Sequence, residues 1–148
     1  MKNFVFILLV LIVSQLLKAE KVGWQTDFKA AEQEAIESDR LLLLYFTGSD
    51  WCQWCLKLDN ELFADPLFRK EISGFAVPVF LDFPNRPLPP HLQRQNNRLK
   101  AQLKVEAIPE VVLYDPAKKE VLWRHGYVAT DTGEYLKLIR QFGLGSTD

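Results

Sequence analysis

Leu41-Leu42-Leu43-Leu44-Tyr45-Phe46-Thr47-Gly48-Ser49-Asp50-Trp51-Cys52-Gln53-Trp54-Cys55 decides how this chain folds. The run Leu41 to Phe46 is apolar without alternation and of strand length, which predicts a central strand covered on both faces. Thr47 to Trp51 turns the chain, and a helix is expected from Cys52 to Leu62. Cys52 and Cys55 are the chain's only cysteines. On a first helical turn, residues three apart are neighbours, so their thiols can close into a small disulfide ring. A strand that delivers Cys-x-x-Cys to a helix start is a thiol-disulfide exchange site, in which one sulfur attacks and the other resolves.

Outward from this segment the pattern alternates between helices and strands. Trp24 to Ser38 reads as a helix with Thr26 or Asp27 as N-cap and Phe28, Ala31, Ala35 and Ile36 on one face. Asp65-Pro66 starts a short helix to Ile72, with Asp capping and Pro in the first turn. Phe75 to Leu81 is the next strand, and Pro78 inside it demands an edge, a bulge or a late start. Four prolines between Phe83 and Pro90 make an extended loop. His91 to Leu103 fits a surface helix, Val111 to Tyr114 and Glu120 to Arg124 form a hairpin, and Gly133 to Phe142 closes the chain as an amphipathic helix. The expected class is α/β, a mixed central sheet with helices on both faces.

Of the 148 residues 48 % are hydrophobic and 25 % charged, which suits one globular domain with a filled core. The formal net charge of -1 provides no global field for nucleic acid or an anionic membrane. The N-terminus has another character: Lys2, the apolar run Phe4 to Val13, then Ser14, Gln15 and a small residue at Ala19. Residues 1–19 read as a secretory signal peptide and 20–148 as the domain. The run is about half of the roughly 20 residues a spanning helix needs, which favours a cleaved leader over an anchor. In an oxidising compartment two cysteines could form a structural staple, but staples gain most from closing long loops, and Cys52 to Cys55 closes almost none.

Strand, W-C-x-x-C and helix, followed by Ile108-Pro109 before a hairpin, resemble the thioredoxin fold over nearly all of residues 20–148. More narrowly, Gly48 to Cys52, Asp82-Phe83-Pro84, Leu99-Lys100-Ala101-Gln102, Val105 and Pro109-Glu110 resemble the chlamydial DsbH-type periplasmic oxidoreductases. That resemblance implies a periplasmic, thioredoxin-like reductant acting on disulfide-containing proteins and re-reduced by a membrane electron donor. It also implies that Pro109 is a cis-proline facing the cysteine pair and that Ile108 exposes backbone for strand-like pairing with substrate. Thioredoxins carry a buried Asp on the strand before the cysteines; here that place falls on Tyr45 or Phe46, neither a carboxylate base near neutral pH. The resolving proton would then pass to water or to Glu106.

The residues themselves assign roles. Cys52 at the helix N-cap meets unpaired backbone N–H groups that stabilise a thiolate, so it is the expected nucleophile, with Cys55 one turn deeper as the resolving thiol. No metal or organic cofactor is needed for this exchange, and His91 and His125 share no ligand spacing with the cysteines. Trp51 and Trp54 flank the nucleophile and are expected substrate-binding residues, and the resemblance adds Ile108 and Pro109. Gln53-Trp54 places no cation between the cysteines, and Asp50 would disfavour a second negative charge, so a reducing potential is expected. An oxidase or isomerase on the same scaffold, and a non-catalytic binding module using the Trp-rich surface, are the alternatives. A monomer is expected by default. The basic stretch Arg86 to Lys104 reads as a solvated face rather than a steering patch.

Overall fold

The computed structural model describes residues 23–143; the expected leader and its boundary at residue 19 lie outside them. Helix α1 is Phe28–Glu37, strand β1 Leu41–Thr47, helix α2 Gln53–Leu58 and helix α3 Pro66–Ile72. Strand β2 is Ala76–Asp82, helix α4 Pro90–Gln102, strand β3 Glu110–Asp115, strand β4 Glu120–His125 and helix α5 Thr132–Gly143. A π-helical turn, Asp59–Phe63, separates α2 from α3.

The strands form one sheet in the order β2-β1-β3-β4, with β1 parallel to β2 and antiparallel to β3, and β3 antiparallel to β4. β1 is therefore internal, as its unbroken apolar run requires. Its alternate residues serve two cores: Leu43 and Tyr45 pack with α2, α3 and α5, while Leu42, Leu44 and Phe46 pack with α1 and α4. The mixed sheet is thus covered by helices on both faces, as the sequence predicts.

Pro78 is accommodated because β2 is the outer strand. Its carbonyl accepts from Gln25 N at 2.9 Å, so its missing N–H also lies on the outer side and no β1 ladder bond is lost. Phe80 N then donates to Gln25 O at 2.7 Å, and Gln25 extends the sheet as an isolated bridge. This bridge corrects the expected start of the first helix. Trp24 is not helical but packs its ring on Tyr45, Phe63 and Phe80 at 5.8, 5.0 and 6.4 Å. Asp27 is the cap, accepting from Ala30 N at 3.0 Å. Ile36, expected on the buried face, is 52 % exposed, because Phe28, Ala31 and Ala35 already fill the contact with the sheet.

The helix expected to run unbroken to Leu62 instead loosens at Asp59 into the π-helical turn. That change of pitch buries Leu62 and Phe63 and brings the chain to Asp65, which caps α3 through Leu67 N at 2.8 Å ahead of Pro66. Thr132 at the start of α5 donates to the other carboxylate oxygen of Asp65 at 2.5 Å, tying α5 to α3.

Candidate active site

β1 ends at Thr47, and the turn Gly48 to Trp51 carries the chain to the start of α2. Cys52 is the N-cap of α2, with extended backbone, and its Sγ accepts from Cys55 N at 3.2 Å. A thiol can cap here because the first N–H groups of a helix lack internal partners. The two cysteines form a disulfide with Cα atoms 5.2 Å apart. Cys52 is 5 % exposed and Cys55 fully buried, so of the pair Cys52 alone keeps any contact with the surface.

The Ile108–Pro109 peptide bond is cis, in the segment leading into β3. Pro109 is buried, and the half-buried Ile108 packs against the same apolar cluster as the cysteine pair. Next to them Glu110 forms an ion pair with Arg124, Nη1 to Oε1 3.1 Å, without hydrogen-bond geometry. Burial pushes the Glu110 carboxyl above its usual range, against the pull of Arg124 and with help from Glu106. Glu106 itself is exposed.

Tyr45 and Phe46 are separated by the strand's alternation. Tyr45 faces the cysteine side, and its hydroxyl donates to the Cys55 carbonyl at 3.2 Å; Phe46 faces α1 and α4. Burial holds the Tyr45 phenol far above its ordinary pKa, with the nearby Asp59 adding to the rise, so it stays protonated as a donor. The Cys55 carbonyl also accepts from Asp59 N, which fixes the buried cysteine from two sides.

The two tryptophans are both at the surface, Trp51 at 47 % and Trp54 at 56 % exposed. Trp51 lies over Gly48 and donates from Nε1 to the Phe83 carbonyl at 2.7 Å. Trp54 lies 4.9 Å from Tyr127, with Lys57 Nζ over both rings at 5.6 and 5.3 Å. Tyr127 donates to Glu61 at 2.8 Å, and Lys57 is 3.7 Å from the same carboxylate. The Tyr127 hydroxyl, and then Glu61, hold the Lys57 ammonium above its ordinary pKa.

Gly48 is required by close approach. A Cβ there would stand 2.3 Å from Trp51 Cε2 and 2.6 Å from Nε1, so the ring would have to leave its site. Gly48→Ala is expected to cost about 1–3 kcal/mol of stability and to change the Trp emission of the folded state. Urea melts and emission spectra matching the parent would refute the contact.

Sequence reasoning missed the carboxylates that hold this turn. Asp82 enters the sequence reading only within the Asp82-Phe83-Pro84 resemblance, yet it accepts from Ser49 N at 3.0 Å and Ser49 Oγ at 2.7 Å. Asp50, expected to oppose a thiolate, accepts from Asn85 N at 2.9 Å and lies 3.9 Å from Arg86 Nη1, so its charge is compensated. The signal for Asp82 was its place at the end of a buried run, since the C-terminal ends of parallel strands build sites in α/β sheets. Tyr127, Lys57 and Glu61 carry no such signal, because nothing local pairs a loop tyrosine with a helix 66 residues away in sequence. Among the described residues, no group of three or more His, Cys, Asp or Glu is placed to hold a metal ion, and no helix is long and apolar enough to cross a membrane.

Known proteins place this arrangement. A family profile described as a thioredoxin-like domain matches residues 28–143. The disulfide bond reductase DsbH of Chlamydia pneumoniae is 32 % identical over 125 residues, covering 84 % of this chain and 74 % of that protein. The thioredoxin-related protein DsbJ of the same organism is 30 % identical over 119 residues; the match spans 80 % of this chain but only 34 % of DsbJ. A solved DsbH oxidoreductase superposes with a TM-score of 0.76 at 28 % identity, covering 82 % of this chain and 84 % of its own. With the family profile spanning residues 28–143 and the DsbH relative 32 % identical, the chain belongs to the thioredoxin-like family, and its Cys52-x-x-Cys55 pair makes it a thiol:disulfide oxidoreductase.

Proposed function

We propose that this protein is an exported reductase of protein disulfides, with Cys52 as nucleophile and Cys55 as resolving thiol. The observation that carries the reading is the disulfide between a cysteine capping α2 and a buried cysteine one turn on. In the reduced protein, the Cys52 thiolate attacks one sulfur of a substrate disulfide; that bond breaks, and the second substrate sulfur leaves as a thiolate that takes a proton. Cys55 gives its proton to solvent and attacks Cys52 Sγ, the bond from Cys52 to substrate breaks, and the remaining substrate sulfur leaves as a thiolate that takes a proton, so the dithiol's two electrons end on the reduced substrate. The Cys52–Cys55 disulfide that remains is the state described above.

Trp51, Trp54, Ile108 and Pro109 form the substrate-binding rim. The exposure of both tryptophans supports this, as do the cis bond and the packing of Ile108 against the cysteine cluster. An extended substrate segment pairs with the Ile108 backbone, where proline offers no donor beside the sulfurs.

The reducing direction is supported by Gln53 and Trp54, which place no cation between the cysteines, and by the reductase name of the DsbH relative. Asp50 does not bear on the direction, since Arg86 and two backbone N–H groups compensate its charge. Export to the periplasm is supported by Lys2, the apolar run Phe4 to Val13 and Ala19. A reductant in an oxidising compartment needs an electron supply, which assigns a membrane electron donor as its second partner. The active unit is a monomer.

The test is the equilibrium reduction potential of the Cys52–Cys55 pair, titrated against dithiothreitol or glutathione and read by Trp emission. A value near about -270 mV is expected. A value between about -120 and -180 mV would make the protein an oxidase or isomerase instead. A pair that never exchanges would leave only a binding module.

A further inference from the structure

The turn that delivers Cys52 is held from outside its own strand. Four residues at and beyond the end of β2, Asp82, Phe83, Asn85 and Arg86, contact it. Asp82 takes both the N–H and the hydroxyl of Ser49, Phe83 O takes Trp51 Nε1, and Asn85 N and Arg86 N donate to Asp50. Arg86 spans the two carboxylates, with Nη2 3.5 Å from Asp82 and Nη1 3.9 Å from Asp50. The proline-rich stretch is therefore a brace against the active-site turn and not a free surface insertion.

Asp82 stands apart within this brace. It is 6 % exposed, both carboxylate oxygens are engaged, and its own carbonyl accepts from buried Asn96 Nδ2 at 2.9 Å. A buried carboxylate is costly unless each oxygen finds a donor, and here the donors come from the turn one residue after Gly48. Gly48 O in turn accepts from Cys52 N at 3.0 Å. A continuous chain of hydrogen bonds thus runs from Asp82 through Ser49 and Gly48 to the backbone of Cys52.

We propose that Asp82 is a positioning residue for the nucleophile: by holding Ser49 through two hydrogen bonds it fixes the Gly48–Trp51 turn and so keeps Cys52 Sγ on the Cys55 N–H. This rests on Cys52 being the attacking thiol. A thiolate gains from a fixed N–H donor because a charged acceptor strengthens the bond, so a loosened turn leaves Cys52 with a higher pKa. The other titratable groups on the elements around Cys52 are Cys55 itself, Tyr45 on β1, Asp50 and Arg86 in the brace, Lys57, Asp59 and Glu61 beyond the helix start, Tyr127 against Trp54, and Glu106 and Glu110 beside Pro109. None of them is altered in the test.

The test is the pH profile of Cys52 alkylation by iodoacetamide in the reduced protein, with folding checked by circular dichroism. Asp82→Ala is expected to move the midpoint upward and to slow alkylation at neutral pH roughly five- to tenfold. Asp82→Asn keeps an acceptor for the Ser49 backbone N–H and places an amide donor opposite the hydroxyl oxygen, so it is expected to stay within about twofold of the parent. Ser49→Ala removes one of the two bonds and is expected to shift the profile the same way by less; it decides the matter if Asp82→Ala does not fold. Unmoved profiles in the alanine variants would overturn the proposal. So would a downward shift shared by Asp82→Asn and Asp82→Ala, the direction that loss of a nearby negative charge produces, which would mean that charge and not position matters. A parent protein whose Cys52 is inert to alkylation would instead defeat the reading of Cys52 as nucleophile.

Discussion

Cys52→Ser is expected to reduce the turnover of protein disulfides to background, a loss on the order of a thousandfold or more, while Cys55→Ser is expected to stall halfway. The asymmetry follows from the geometry. Cys52 caps α2 and keeps 5 % exposure where Cys55 keeps none, which under the proposed mechanism makes Cys52 the thiol that meets substrate. A serine hydroxyl is not ionised near neutral pH and cannot replace a thiolate as the attacking group. With Cys55 removed, the first attack still occurs, but no second thiol held one turn away is left to displace the substrate. The mixed disulfide should then accumulate and run as an adduct on a non-reducing gel. A Cys52→Ser protein retaining a tenth or more of parental activity in an insulin reduction assay would reverse the roles assigned to the two cysteines. Cys55→Ser turnover at the parental rate would replace the dithiol mechanism with a single-thiol one.

Phe68→Ala is expected to have the largest effect on stability, a loss of about 3–5 kcal/mol. Phe68 has no exposed surface and stands where α3, the π-helical turn and α5 meet, with Phe63 at 5.0 Å and Tyr135 at 6.3 Å. Both neighbours are fixed in turn: Phe63 packs on Tyr45 at 4.8 Å and Tyr135 on Trp123 at 5.8 Å. Rings locked in this way cannot collapse into the space left by a lost phenyl group, so the cavity term adds to the transfer term. The fall in Tm should be on the order of 10–20 °C for a domain of this size. Phe68→Leu keeps most of the volume and should lose only about 1 kcal/mol. A melt showing Phe68→Ala within about 1 kcal/mol of the parent would mean that this seam repacks freely.

Helix, strand and helix around the cysteines were legible because each signal is local. A continuous apolar run marks a strand covered on both faces, and Asp65-Pro66 marks a helix start whatever lies elsewhere in the chain. Where local pattern failed, a distant partner had intervened. Trp24 looked like the first turn of a helix, but it is drawn out of that helix to cover Tyr45, Phe63 and Phe80, and Gln25 is spent on the free edge of β2. The expected long second helix breaks at Asp59, because the five-residue π-helical turn buries Leu62 and Phe63 against the sheet.

The presence of a redox pair is legible from short range alone. Two cysteines at a helix start could be named as a redox pair because their reactivity depends on spacing and on the backbone N–H groups of one helical turn, both short-range properties. The strand alternation that separates Tyr45 from Phe46 is equally local, but which of the two faces the cysteines was decided by the tertiary fold, since it depends on the layer in which α2 packs. Tertiary structure alone also decided what holds the site. Asp82 reaches Ser49 across 33 positions, Asp50 reaches Asn85 across 35, and Tyr127 reaches Glu61 across 66. Such pairs have no periodicity in the chain. They form only after β1 and β2 have paired and both cores have closed, because the burial of apolar surface, not the polar contacts, supplies the free energy that brings those segments together.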